Sequence, residues 1–220
     1  SRTEASFMKG IAMLMILFHN FCHLIKPWNG ENEFSFSYES TLFFIDLIKK
    51  NPENIVQYLF SFMGHYGVQL FVFLSGYGLF TVWQNREVKW LQFMKQRLIK
   101  LYPAYWVTVL VYLLILTIKT GGLPSWVLLR LAIADLLFIQ SFVPGEAFRL
   151  VGPWWFFPMI VQLYMVFPLV MAAYRRWGLQ ALYLIGALAW LITLIVNPLL
   201  DHDKYNLNYF FIGHLAVFCL

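Results

Sequence analysis

The chain has 220 residues, of which 60% are hydrophobic, 20% aromatic and only 12% charged. Soluble globular domains carry about 25% charged residues, so this composition excludes an ordinary soluble domain. The net charge of +5 does not indicate nucleic-acid binding, because the basic residues lie between apolar stretches, as in loops that face anionic lipid. The sequence therefore predicts an all-α fold, a polytopic membrane helix bundle whose first partner is the lipid bilayer.

Apolar stretches of about twenty residues are long enough to cross a bilayer as helices. The second such stretch contains four glycines, at positions 64, 67, 76 and 78, where we expect kinks. Taken in chain order, the predicted spans cover residues 7–25, 56–83, 101–118, 154–173, 179–196 and 210–220. We expect a single transmembrane domain over 1–220, truncated at its C-terminus, because the last apolar run stops at Leu220.

The segment 124–143 is long enough to span but contains Arg130, Asp135 and Gln140. Positions five apart on a helix differ by about 140°, so these three do not share one face. The segment is either a spanning helix with its charges buried in the bundle or a re-entrant or surface-lying segment. The second alternative is favoured, because it leaves the basic pair at 175–176 in the cytoplasm.

Charge also predicts the orientation in the membrane. The run 84–100 is strongly basic, whereas 26–54 is rich in acidic residues. The positive-inside rule places the basic run in the cytoplasm, and Arg2 and Lys9 before the first span agree with this. We therefore expect a multi-pass protein of the cell (inner) membrane with a cytoplasmic N-terminus.

The first span, MKGIAMLMILFHNFCH, ends in two histidines. His19 and His23 are four residues apart and so share a helix face. A neutral imidazole can take a proton from a hydroxyl, which suits acyl transfer to an alcohol. The alternative is a hydrogen bond that only holds the bundle together. A metal site is not expected, because Cys22 points elsewhere on the helix and Cys219 lies alone in an apolar run.

Two further stretches carry candidate residues. In GVQLFVFLSGYGLF, residues 67–80, Ser75-Gly76 allows either a ligand or a packed neighbouring helix to approach. His65 precedes it as an interfacial residue or a second site histidine. In KQRLIKLYPAYW, residues 95–106, the basic groups indicate either lipid head groups or a seat for a phosphate-bearing donor.

In this order, these stretches resemble the acyltransferase family 3 membrane proteins, which O-acylate exported glycans. The matching motifs are MKGIAMLMILFH, GVQLFVFLSGYGLF, RLIKLYPAYW and PWWFFPMIVQLYMVFPLV. The resemblance implies an enzyme, a membrane O-acyltransferase and in particular an O-acetyltransferase. The donor would be acyl-CoA (acetyl-CoA) without any metal, and the acceptor a hydroxyl of a cell-envelope glycan or lipid-linked sugar. The alternatives are a proton-coupled transporter using His19, His23 and Arg130/Asp135, or a non-catalytic protein of the same fold.

Carried over by position, the resemblance makes His19 the catalytic base and gives acyl-CoA binding to Lys9, Arg97 and Lys100. The candidate substrate-binding residues are His23, His65, Ser75 and Tyr77.

One departure concerns the first helix. The family pattern has an arginine eleven residues before its histidine, whereas here a lysine stands ten residues before His19. Ten helical steps leave an offset of about 80°, and Asn20 holds the aligned position. Either another cation serves His19 or a local wide turn restores the alignment.

Overall fold

The predicted all-α class is confirmed by a computed structural model that describes residues 2–27, 34, 37–201 and 204–220. No β-strand occurs in these ranges. Their α-helices, in chain order, are α1 Arg2–Cys22, α2 Tyr38–Lys50, α3 Ile55–Met63, α4 Tyr66–Trp83, α5 Trp90–Thr120, α6 Trp126–Leu136, α7 Phe156–Trp177, α8 Leu179–Val196 and α9 Phe211–Cys219.

Within the described ranges, five helices are long and apolar enough to cross a membrane, and they overlap the first five predicted spans. On α8, Leu184, Leu188, Leu191 and Ile195 lie on one exposed face, while Gly186 and Ala189 are buried. An apolar outward face is the arrangement that lipid requires. The five segments are Thr3–Cys22, Tyr66–Trp83, Trp90–Thr120, Gly152–Trp177 and Leu179–Leu199.

The structure divides into two compact units, of which the first comprises Ser1–Thr81 with Leu220. In this unit α1 packs against α3, and α2 begins at Ser37, whose side-chain oxygen accepts a hydrogen bond from the Ser40 amide. The helix predicted over 56–83 is broken into α3 and α4 by a turn at Gly64 and His65. The break thus falls at the first of the glycines that the sequence marks as kinks.

Close contact with α1 explains why glycine stands at this turn. A Cβ atom on Gly64 would lie 2.7 Å from the His19 Cβ and 2.8 Å from the Met15 carbonyl oxygen. One on Gly67 would lie 2.7 Å from the Ala12 carbonyl oxygen. Small residues of this kind let two helix backbones approach closely in a membrane. The glycines therefore set the distance between α1 and the α3–α4 turn.

The second unit comprises Val82–Cys219. Its helix α5 has 31 residues and begins at Trp90, so the basic run before the predicted span is itself helical. α6 has 11 residues, which corresponds to about 16 Å and is too short to cross a bilayer. The described structure of 124–143 therefore contains no spanning helix. α9 is shorter still, with nine residues.

A buried polar contact attaches α6 to α5. The hydroxyl of Tyr105 lies 3.4 Å from an Asp135 carboxylate oxygen, and both side chains are buried. After α6 the chain reverses at Phe138, whose φ is +58°, and this brings the Gln140 side chain to the same carboxylate. Arg130 instead pairs with Glu146. Asp135 and Gln140 thus meet because α6 ends between them. In a continuous helix their side chains would lie on different faces.

Candidate active site

His19 lies in the last turn of α1, closer to the helix end than the predicted span 7–25 suggests. Its side chain is 6% exposed, and its Nδ1 atom lies 3.2 Å from the carbonyl oxygen of Phe60 on α3. A carbonyl oxygen can only accept, so Nδ1 carries the proton and donates. In the neutral ring the lone pair is then on Nε2, which is the atom that could accept a proton from a substrate.

His23 follows directly after α1 and neighbours His19. The two ring centroids are 4.1 Å apart, as the four-residue spacing predicts. His23 Nε2 lies 3.1 Å from the carbonyl oxygen of Ser61, to which it donates. Its ring is therefore held by the residue next to the one that holds His19.

His65 stands in the turn between α3 and α4, and its ring centroid is 5.6 Å from that of His19, in an edge-on arrangement. Its side chain is only 3% exposed. Burial lowers the pKa of His65, and a hydrogen bond to the Phe62 backbone opposes this shift. Within the described part of the chain Nδ1 of His65 has no hydrogen-bond partner. We refer to His19, His23 and His65 as the histidine cluster.

The helix break supplies the carbonyl groups that hold this cluster. The last four carbonyls of a helix have no partner within it. At the end of α3, the oxygens of Phe60 and Ser61 accept from His19 and His23, and the Phe62 backbone bonds His65. Phe60 also accepts from the Gly64 amide at 3.0 Å. Three consecutive residues thus orient three imidazole rings.

Two other predicted substrate-binding residues are not part of the histidine cluster. Ser75 is buried on α4, nine residues after its first residue Tyr66, which places it about 14 Å along the helix axis. Tyr77 is 47% exposed and stacks on Phe73, with 6.4 Å between ring centroids.

Lys9 lies ten residues before His19 on α1, a separation of about 15 Å along the axis. Its Nζ atom is 6.0 Å from the ring centroid of Phe71 and 3.5 Å from the position that a Cβ on Gly78 would take. Lys9 is therefore not next to His19. Asn20, in the aligned position, donates to the Ile16 carbonyl at 2.8 Å.

In the second unit, the guanidinium group of Arg97 lies against two aromatic rings that meet edge-on. Its central carbon is 5.1 Å from the centroid of Phe93 and 5.9 Å from that of Tyr164. Its Nε atom is buried without a hydrogen-bond partner, and no carboxylate pairs with Arg97 among the residues that the structure describes. Lys100 is exposed. A partly buried guanidinium without a counter-charge is a ready site for an anion.

Trp83, which the sequence did not single out, lies next to the Phe93 ring. Its indole packs edge-on against Phe93, with 5.7 Å between centroids. Its Nε1 is also buried without an acceptor in the ranges described. No sequence signal distinguishes this tryptophan from the other eight. The carbonyls of Phe60 and Ser61 likewise could not be found from sequence, because any residue type carries a carbonyl.

As for metals, no group of three or more His, Cys, Asp or Glu side chains in the described ranges could hold a metal ion. Two rings of the histidine cluster, those of His19 and His23, are hydrogen-bonded to backbone carbonyls.

Comparison with known proteins gives one match. A family profile described as an acyltransferase domain matches residues 3–219, which is essentially the whole chain. No curated protein and no solved structure matches the chain.

Proposed function

This chain belongs to that acyltransferase family, and from this premise we propose that it is a membrane O-acyltransferase in which His19 is the general base. The observation that carries the proposal is the hydrogen bond from His19 Nδ1 to the Phe60 carbonyl. It leaves the Nε2 lone pair on a ring that is buried at the end of a spanning helix. A fixed, neutral imidazole is the group that general base catalysis on a hydroxyl requires.

In the proposed reaction, His19 Nε2 accepts the proton of an acceptor hydroxyl while the hydroxyl oxygen attacks the carbonyl carbon of an acyl thioester. The new C–O bond forms, the C–S bond breaks, and the leaving thiolate takes the proton back from His19. The products are an ester and a free thiol, and the imidazole returns to its starting state. No metal is required for this step.

For the donor we propose acyl-CoA, in particular acetyl-CoA. Support comes from Arg97, whose guanidinium lacks a counter-charge among the described residues, and from the exposed Lys100 on the same helix. Guanidinium groups bind phosphate oxygens in a bidentate fashion. Lys9 does not neighbour His19 in the first unit, so a role for it in donor binding rests on the family resemblance alone.

For the acceptor we propose a hydroxyl of a cell-envelope or exported glycan, free or linked to lipid. The five apolar helices support a membrane location, and we propose the cell (inner) membrane with a cytoplasmic N-terminus. The acidic and basic loops support this orientation.

The test is a pair of variants at His19. An asparagine amide can replace Nδ1–H as the donor to Phe60, but it has no basic nitrogen in the place of Nε2. We expect His19→Asn to keep its thermal transition in detergent and to lose acyl transfer by about 10²–10⁴-fold. His19→Leu should lose both activity and stability. Transfer at the normal rate by a folded His19→Asn protein would disprove the proposal.

A further inference from the structure

The side chain of His65 lies beside His19, the proposed base, and carries a nitrogen that the proposed reaction does not use. The inference drawn from it rests on the proposed function. His65 is bonded to the backbone of Phe62, while its Nδ1 has no partner in the described part of the chain. In the Nε2–H tautomer the His65 ring donates from Nε2 and can accept at Nδ1. Nδ1 of the neutral ring then carries a lone pair.

The two rings are thus alike in chemistry. His19 donates from Nδ1 to the Phe60 carbonyl and keeps Nε2 as an acceptor, and Nδ1 of His65 has no partner in the described part of the chain. Their centroids are 5.6 Å apart at an interplanar angle of 67°. Both side chains are almost completely buried. Nδ1 of His65 is itself buried without a partner in the ranges described, and a buried acceptor without a donor is unfavourable.

One alcohol hydroxyl cannot satisfy both nitrogens, because it carries a single hydrogen. Two hydroxyls on adjacent carbons can, since their oxygens are close enough to reach neighbouring acceptors. We propose that His65 is a substrate-binding residue whose Nδ1 accepts a hydrogen bond from a second hydroxyl of the acyl acceptor. The acceptor is therefore a vicinal diol: one hydroxyl gives its proton to His19 and becomes the ester, and its neighbour donates to His65 and is not consumed.

The first experiment compares two acceptors of nearly equal size with the full chain in lipid nanodiscs and acetyl-CoA as donor. The acceptors are cyclohexanol and trans-1,2-cyclohexanediol, and ester formation is measured as kcat/KM. We expect the diol to be preferred at least about tenfold, because a site built to bond a hydroxyl rejects the analogue that lacks it. A preference of about two, the statistical value for two equivalent hydroxyls, would overturn the inference.

The second experiment uses two variants of His65. In His65→Asn the amide oxygen lies near the position of Nδ1 and can accept the same hydrogen bond, whereas His65→Leu has no acceptor. We expect His65→Asn to keep the preference for the diol and His65→Leu to lose it. The ratio is measured on one preparation with both acceptors, so a reduced folded fraction does not alter it. A His65→Leu protein with the wild-type ratio would refute the role of Nδ1.

The outcomes separate this inference from the proposed function. If transfer depends on His19 but proceeds equally to both acceptors, only the role of His65 is wrong. If His19→Asn transfers normally to both, or the wild type transfers to neither, the proposed function fails and the inference fails with it.

Discussion

Single residues in this protein take their chemistry from the backbone groups that hold them. The sequence shows that His19 and His23 share a face, because helix geometry fixes the spacing of residues four apart. It does not show which ring nitrogen is free, because that depends on the Phe60 carbonyl, 41 positions away. Nor does it show that His65 lies beside His19, since this requires α1 to pack against the α3–α4 turn.

For Arg97, the planar shape of the guanidinium group, and not its charge alone, determines the expected effect of a substitution. Arg97→Lys keeps the charge but loses the contacts of the planar guanidinium with Phe93 and Tyr164 and the buried Nε. We expect KM for acetyl-CoA to rise about tenfold or more in steady-state assays, with a smaller change in kcat.

Lys100→Gln is the matched comparison on the same helix. Lys100 is exposed, so its attraction for phosphate is screened by salt. We expect a rise in KM of about threefold or less at physiological salt, and less at higher salt. Equal effects of Arg97→Lys and Lys100→Gln would argue against a specific site at Arg97.

Among the helices, the position of the break between α3 and α4 could not be predicted from composition. Hydropathy predicts an apolar stretch over 56–83, and all four of its glycines could kink it. The break falls at Gly64, while α4 continues through Gly67, Gly76 and Gly78. A close approach of α1 does not by itself break the helix, because α1 contacts Gly67 as closely as Gly64. The short α6 could not be predicted either, since its apolar run has the composition of a span and its length is set by the reversal at Phe138.

Gly64→Ala tests the close contact. The added Cβ would meet the Met15 carbonyl at 2.8 Å and the His19 Cβ at 2.7 Å, and backbone atoms of packed helices move only at a cost. We expect a loss of about 1–3 kcal/mol in stability, with reduced transfer because His19 shifts away from Phe60. Thermal unfolding in detergent and acyl transfer measure the two effects.

Gly10→Ala provides the control on α1. A Cβ on Gly10 meets nothing within 4 Å, so the substitution should leave the helix contact unchanged and raise helix propensity. We expect no loss of stability. If Gly64→Ala were as well tolerated as Gly10→Ala, the close approach would not control the site.

The buried carboxyl of α6 makes stability depend on pH. Burial raises the pKa of Asp135 from 3.8 to about 7. Between these values the folded state holds the proton that the unfolded state has released, so stability falls as the pH rises through this window. From pH 5 to pH 8 we expect a loss of about 3 kcal/mol, which a lower thermal transition temperature would show.

Asp135→Asn removes this titration while keeping an oxygen that can accept from Tyr105. We expect its transition temperature to change far less between pH 5 and pH 8 than that of the wild type. Asp46→Asn is the control, because Asp46 forms an exposed pair with Lys50 at 2.8 Å and should leave the pH dependence unchanged. A wild-type slope in Asp135→Asn would assign the effect to another group.

For the molecule as a whole, the class of fold was predictable and the detailed path of the chain was not. A composition of 60% hydrophobic residues leaves few structures other than spanning helices, because lipid offers no partner to backbone N–H and C=O groups. The ends of the helices depend on packing instead: the break at Gly64 and the extension of α5 back to Trp90 both differ from the hydropathy boundaries.

The orientation remains a prediction that chemical labelling can test. After Cys22 and Cys219 are replaced by alanine, single cysteines are introduced at Asn85 in the basic loop and at Glu53 before α3, both of which are exposed. In intact cells a membrane-impermeant maleimide should label Glu53→Cys but not Asn85→Cys. The reverse pattern would invert the orientation.

Because the ends of α3 and α4 orient the imidazoles, an alignment of histidines alone is a poor guide to which relatives are active. A relative in which a strong helix former replaces Gly64, so that the two helices fuse into one, would direct the oxygens of residues 61 and 62 into its own helical ladder. The imidazoles that these oxygens orient would then be free to rotate. Such a protein would have every side chain of the proposed site without their arrangement, so an interruption in the helix should identify relatives with an intact site more reliably than the histidines do.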